Sequence, residues 1–91
     1  MSNWTFITNH GAVFLRISRS GRVTAREIAA DIGITERSVM RIIRDLEQAG
    51  YIERERQGRR NIYHINEDAS LRHDLARDTM VGDLLEVLNS P

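Results

Sequence analysis

Arg37, Arg41 and Arg44 recur at helical spacing among Thr35, Glu36, Ser38 and Met40, and a second cationic pair, Arg59 and Arg60, follows a glycine further on. A guanidinium keeps its charge at any physiological pH and offers its donors in a planar fork. It can bridge O6 and N7 of guanine in a major groove, or grip a phosphate. Glu36 has two readings: it caps or orients the helix, or it accepts a hydrogen bond from cytosine N4. This is the chemistry of recognition. The sequence has no phosphate loop, no nucleophile placed beside a base and no carboxylate pair in a recognisable setting, so no enzyme is expected and no catalytic residue is assigned.

Those side chains need a frame. Thr24-Ala25-Arg26-Glu27 has the form of a capping box, with the threonine hydroxyl and the glutamate each satisfying a free N–H at the start of a helix. Ile28, Ala29 and Ile32 follow at helical spacing, and Gly33 stands where a left-handed residue lets the chain turn. Thr35 is an N-cap for the next helix, in which Val39, Ile42, Ile43, Leu46 and Ala49 form an apolar stripe before Gly50. Thr35, Glu36, Arg37, Ser38, Met40, Arg41 and Arg44 point away from that stripe, as a helix in a major groove requires. Tyr51 to Arg56 and Arg60 to Ile65 alternate apolar with polar residues around Gln57-Gly58-Arg59, which predicts a β-hairpin with Ile52, Tyr63 and Ile65 toward the core. Its tip would aim Arg59 and Arg60 at a phosphate backbone or minor groove, the bland reading of the pair being a charged turn that resists aggregation. The fold class predicted is mainly α with a small β-hairpin: a helix-turn-helix over 24–50, a wing over 51–66 and flanking helices.

The chain has 91 residues, enough for one domain that buries roughly 60–65% of its unfolded surface. It contains no cysteine, which removes disulfides, thiolate metal sites and cysteine nucleophiles together. His10, His64 and His73 fall in three different segments with no ligand spacing, so neither metal nor cofactor is expected. No apolar run nears the roughly 18 residues of a membrane span, and Trp4 to Ile7 lacks the marks of a signal peptide, so a cytoplasmic protein away from the membrane is expected. Asn3-Trp4-Thr5 matches a glycosylation sequon that, without a secretory signal, is chance. Net charge is zero, but it is segregated: residues 1–66 hold 11 Arg against 7 acids, giving +4, and residues 67–91 hold 2 Arg against 6 acids, giving −4. Counterion release depends on local cations facing phosphates, so a neutral total does not oppose nucleic-acid binding. All 13 basic residues are arginine, a bias better explained by a GC-rich genome than by binding.

Upstream, residues 8–19 read as a first helix, with Thr8 or Asn9 as cap and Ala12, Val13, Phe14, Leu15 and Ile17 spread over more than one face. Downstream, Asn66 to Ser70 is a connector, Leu71 to Arg77 can form a helical turn, and Thr79 or Asp78 can cap a helix running through Asn89, before Pro91. Met80, Val81, Leu84, Leu85, Val87 and Leu88 give that helix a broad apolar face, either core or dimer seam. Together with Trp4, Phe6 and Ile7, these flanks show more apolar surface than so small a core can cover. A homodimer is therefore expected, with Trp4, Phe6, Phe14, Val81, Leu84, Leu85 and Leu88 at its seam.

The run GITERSVMRIIRDLEQAGYIERERQGRRNIYHIN resembles the short winged helix-turn-helix transcriptional regulators of bacteria and archaea, of the broad MarR/ArsR type, and the resemblance covers about residues 8–66. It implies a dimeric transcription factor whose second motif helix reads the major groove and whose wing touches the flanking minor groove or backbone. By position, Arg37, Ser38, Met40, Arg41 and Arg44 would lie at the groove, and Arg59 and Arg60 on the wing. The chain is shorter than typical MarR proteins and lacks the cysteine metal motif of many ArsR sensors, so no effector is assigned. The expected function is sequence-specific binding of double-stranded DNA by a homodimer that represses by occluding a promoter. The alternatives are a winged helix used for protein contact in a larger assembly, which the exposed arginines argue against, and an RNA-binding winged helix.

Overall fold

The computed structural model describes residues 4–72 and 75–90; Asn3, His73 and Pro91, singled out above, lie outside them. In chain order the elements are α1 (Asn9–Arg19), α2 (Ala25–Ile32), α3 (Glu36–Gln48), β1 (Ile52–Gln57), β2 (Arg60–Ile65) and α4 (Val81–Leu88). Four helices and a two-stranded antiparallel hairpin make an α+β winged helix.

Each helix of the central motif begins where a side chain can take up a free N–H. Thr24 accepts from the Glu27 amide at 3.1 Å and the Glu27 carboxylate accepts from the Thr24 amide at 3.1 Å, completing the capping box. Thr35 accepts from Ser38 N at 3.0 Å to open α3. Thr8, not Asn9, caps α1, accepting from Gly11 N at 3.1 Å. Between α2 and α3 the chain turns at Gly33 with φ of +75°, a conformation costly to any residue with a Cβ. α3 ends in a Schellman arrangement: Tyr51 N donates to Leu46 O at 2.9 Å and Gly50 N to Glu47 O at 3.1 Å. That turn holds Tyr51 out of β1, which therefore begins at Ile52, one residue later than the alternation suggests.

The core gathers Val13, Phe14 and Ile17 of α1, Ile28 and Ala29 of α2, Val39, Ile42, Ile43 and Leu46 of α3, and Ile52 and Tyr63 of the hairpin. Phe14 and Tyr51 meet edge to face at 5.9 Å, and the Tyr51 hydroxyl donates to Ser70 O at 2.5 Å. Ile52 pairs with Ile65, Arg54 with Tyr63 and Gln57 with Arg60. Ile52 and Tyr63 are buried as expected, Ile65 only half so. Ile62, on the opposite hairpin face from Tyr63, is also buried, which strict alternation does not anticipate. The preceding loop runs alongside β2, with Tyr63 N donating to Gly21 O at 2.9 Å.

The C-terminal segment departs from expectation. Leu71 N donates to Thr79 O at 2.9 Å and Ser70 bridges Met80, so residues 79 and 80 are drawn into extended pairing. The helix cannot start at Asp78 or Thr79; Met80 occupies the N-cap without a side-chain bond, and α4 begins at Val81. No helix forms among the described residues of 71–77, where 75–78 make a turn. Asn89 lies beyond α4 and ties it to α1, accepting from Arg19 Nε at 2.9 Å and donating to Ser18 Oγ at 3.3 Å.

Candidate nucleic-acid interface

The α3 stripe that packs inward fixes what faces outward. Val39, Ile42, Ile43 and Leu46 are buried, whereas Glu36, Arg37, Arg41 and Arg44 are exposed, the arginines recurring at i, i+4 and i+7 on the opposite side of the helix. Among the described residues Arg37, Arg41 and Arg44 make no side-chain hydrogen bond or ion pair, although the same chain pairs four other residues with carboxylates. Arg16 bonds Asp31 at 2.7 Å, Arg54 holds Glu47, and His10 and His64 approach Asp45 and Glu55 at 2.8 Å each. Three guanidinium groups on one helix face thus stand ready for an external anion or base edge.

Two of the expected groove residues are differently engaged. Met40 is half-buried and packs against the core, since its long apolar chain gains more there than in water. Ser38 is half-buried and accepts from the Thr35 hydroxyl at 2.9 Å, so both side chains serve the helix start. Thr35 and Glu36 remain exposed at that end of α3.

The wing is braced at three points. Arg54 clamps Glu47 of α3 with two bonds, Nη2 to Oε1 at 2.6 Å and Nε to Oε2 at 3.1 Å. The bond to Glu47 raises the Arg54 pKa further above its ordinary value, outweighing the opposing effect of burial. Arg60 sits on β2 and reaches back to Arg22 O at 3.4 Å. Arg56 Nε donates to Gly58 O at 3.1 Å across the turn. Gly58 has φ of +61° and Arg59 a negative φ, the sign pattern of a type II′ hairpin turn. Of the two wing arginines Arg59 alone forms the tip, exposed and without a partner among the described residues, while Arg60 belongs to the shoulder.

Arg22 was not singled out by the sequence. It is exposed beside the wing, where its charge helps lower the Glu55 pKa after the larger effects of hydrogen bonds from His64 and Gln57. Glu27 is held below its ordinary value chiefly by its Thr24 hydrogen bonds, with smaller help from Arg16 and Arg60. The turn before α2 and the shoulder of the wing are therefore one electrostatic neighbourhood. The only hint in the sequence is Gly21 preceding Arg22, and the close backbone approach that requires it is a tertiary fact.

The seam residues divide. Phe14, Val81 and Leu85 are buried in the chain's own core, where α4 folds back on α1. Trp4 and Phe6 are 70% and 91% exposed, Leu84 is 38% exposed and Leu88 is half-buried. Among the described residues no three His, Cys, Asp or Glu groups could hold a metal ion, and no helix is long and apolar enough to cross a membrane.

A hairpin wing set against a helix-turn-helix with a cationic outer helix defines a winged-helix regulator. The chain belongs to the MarR family, whose model matches residues 6–60, and is a MarR-type winged-helix transcriptional regulator. That match takes in α1, the helix-turn-helix and β1, and stops at Arg60, the first residue of β2. No curated protein matches the chain.

Proposed function

We propose that the protein binds double-stranded DNA sequence-specifically as a homodimer and represses transcription by occupying promoter sequence. The observation that carries this reading is the arginine face of α3, where three exposed guanidinium groups share one side of the helix and have no side-chain partner among the described residues. Helix α3 would lie in the major groove with Arg37 and Arg41 at base edges and Arg44 toward the backbone, while Arg59 meets phosphate or minor-groove edges beside it. Thr35, Glu36 and Ser38, at the start of α3, would sit near the same groove edge. Arg22 and Arg60 extend the cationic surface along the wing shoulder.

Two-fold pairing would present two α3 helices to an inverted repeat whose half-sites lie about 34–36 Å apart, one helical turn. Selection of bound duplexes from a random pool, followed by repression of a reporter carrying the selected site, tests this. The expected outcome is a pseudo-palindrome with half-sites one turn apart. Absence of enrichment, together with no retention on random duplex at low salt, would remove the DNA reading; preference for structured RNA at equal salt would replace it.

A further inference from the structure

The wing is long for what anchors it. Tyr51, Ile52 and Tyr63 set its base in the core, but every residue of β1 beyond Ile52 is exposed and the sheet has two strands among the described residues. A two-stranded ribbon is marginal in water by itself. At about 3.3 Å per residue the turn at Gly58 stands roughly 13 Å beyond Arg54, so a tilt of about 10° there carries Arg59 about 2 Å, enough to lose a hydrogen bond to phosphate. The backbone joining α3 to the ribbon turns at Gly50, with φ of +83°. Across that turn Arg54 lays Nη2 and Nε on the two oxygens of the Glu47 carboxylate at 2.6 and 3.1 Å, the two side chains being 34% and 23% exposed. A fork on a carboxylate fixes angle as well as distance, which a single contact does not. Among the described residues no other side-chain hydrogen bond or ion pair joins α3 to the hairpin. Glu47 itself lies three residues beyond Arg44, about one turn further along α3.

We propose that Arg54, acting through Glu47, is a positioning residue for DNA: the clamp holds the wing at a fixed angle to α3, so that Arg59 reaches phosphate while Arg37 and Arg41 reach base edges of the same duplex. This rests on the DNA-binding reading above and says what couples its two contacts. A partly exposed ion pair contributes little to the stability of a fold. Its geometric restraint acts on binding instead, because a tip already held in place avoids the ordering cost that a loose ribbon meets when it docks. The same pairing neutralises Glu47, a carboxylate one turn from Arg44 that repels phosphate when left alone. Charge and angle are therefore both lost when Arg54 alone is removed, and they have to be separated.

Glu47→Gln/Arg54→Gln separates them, since it removes the clamp and leaves the net charge unchanged. The chain has no cysteine, so Gln48→Cys at the end of α3 and Gln57→Cys beside the wing tip, both exposed, take spin labels at those two sites alone. With labelled protein diluted in an excess of unlabelled protein, the distance between the labels should be narrowly distributed when the clamp is intact and broadened in the Gln/Gln variant, at unchanged far-ultraviolet circular dichroism. Equal distributions overturn the proposal with no DNA in the sample. On a selected operator, Arg59→Ala should lower the salt slope of log affinity by about 1, and the Gln/Gln variant should show the same lowered slope despite its unchanged net charge. Adding Arg59→Ala to the Gln/Gln variant should change affinity by less than about twofold, whereas independent sites multiply their losses. A parent-like salt slope in the Gln/Gln variant, or a full Arg59→Ala loss within it, overturns the positioning role and leaves DNA binding standing. A parent protein that retains no duplex even at low salt removes the DNA reading itself, and the positioning role with it.

Discussion

Replacing Gly21 by alanine isolates the contact that sets the wing against the body of the domain. Gly21 has no positive φ, so alanine is not disfavoured by its backbone conformation. The obstacle is steric: a Cβ there would stand 2.1 Å from Tyr63 O and 3.3 Å from Tyr63 C, both backbone atoms of β2 that cannot swing aside. Reaching even 3.0 Å requires the loop and strand to part, and the 2.9 Å bond from Tyr63 N to Gly21 O is the first casualty. A hydrogen bond contributes about 0.5–1.5 kcal/mol net, and stranding a buried partner costs about 1–3 kcal/mol more. The expected loss is about 2–4 kcal/mol, a large share of the roughly 5–14 kcal/mol a domain of this size possesses. The melting temperature should fall by about 8–30 °C. Gly33→Ala is the control, since nothing lies within 4 Å of its Cβ and the whole cost is the left-handed backbone, about 1–2 kcal/mol. Urea unfolding followed by circular dichroism measures both. If Gly21→Ala costs no more than Gly33→Ala, the loop and wing are not tightly joined and the argument fails.

Arg54→Ala removes both bonds to Glu47 and, discounted for partial solvent exposure, should cost about 1 kcal/mol in urea unfolding; amide exchange in β1 should rise with it. Thr24→Ala should cost about 1 kcal/mol through the lost cap. Because Glu27 is depressed in the folded state, its contribution is present above its ordinary value of 4.5 and is lost as pH falls through the lower folded value. The Thr24 variant should therefore lose less stability than the parent on acidification below about pH 4.5. Arg59→Ala should lower the salt slope of log DNA affinity by about 1 and leave stability nearly unchanged, as expected of a phosphate contact on an exposed tip.

Much of this architecture can be read in the sequence because it is encoded locally. Thr24 with Glu27, Gly33, Thr35 and Gly58 act within a few residues of themselves, and the α3 stripe at 3.6-residue period fixes which arginines face outward. What could not be read depends on partners distant along the chain. α4 starts at Val81 because residues 70–71 pair with 79–80, and an N-cap signal at Thr79 cannot reveal that competition. Phe14, Val81 and Leu85 look like seam residues on an amphipathic helix but fill the domain's own core, because α4 packs against α1. Met40 shares the outward arc of α3 by its position, yet its flexible chain folds inward. The separate fates of Arg59 and Arg60 hang on the Arg22 carbonyl, brought to the wing by the loop at Gly21.

The exposed arginine face of α3 is proposed to read DNA sequence. That role is tested most directly by measuring Arg41→Ala against the intact protein on a selected operator and on random duplex, at matched salt. Loss of a bidentate guanine contact should cost about 1–3 kcal/mol on the operator and relax preference at one base position, with a much smaller loss on random duplex. Equal losses on both would assign Arg41 to phosphate, and no loss on either would contradict the account.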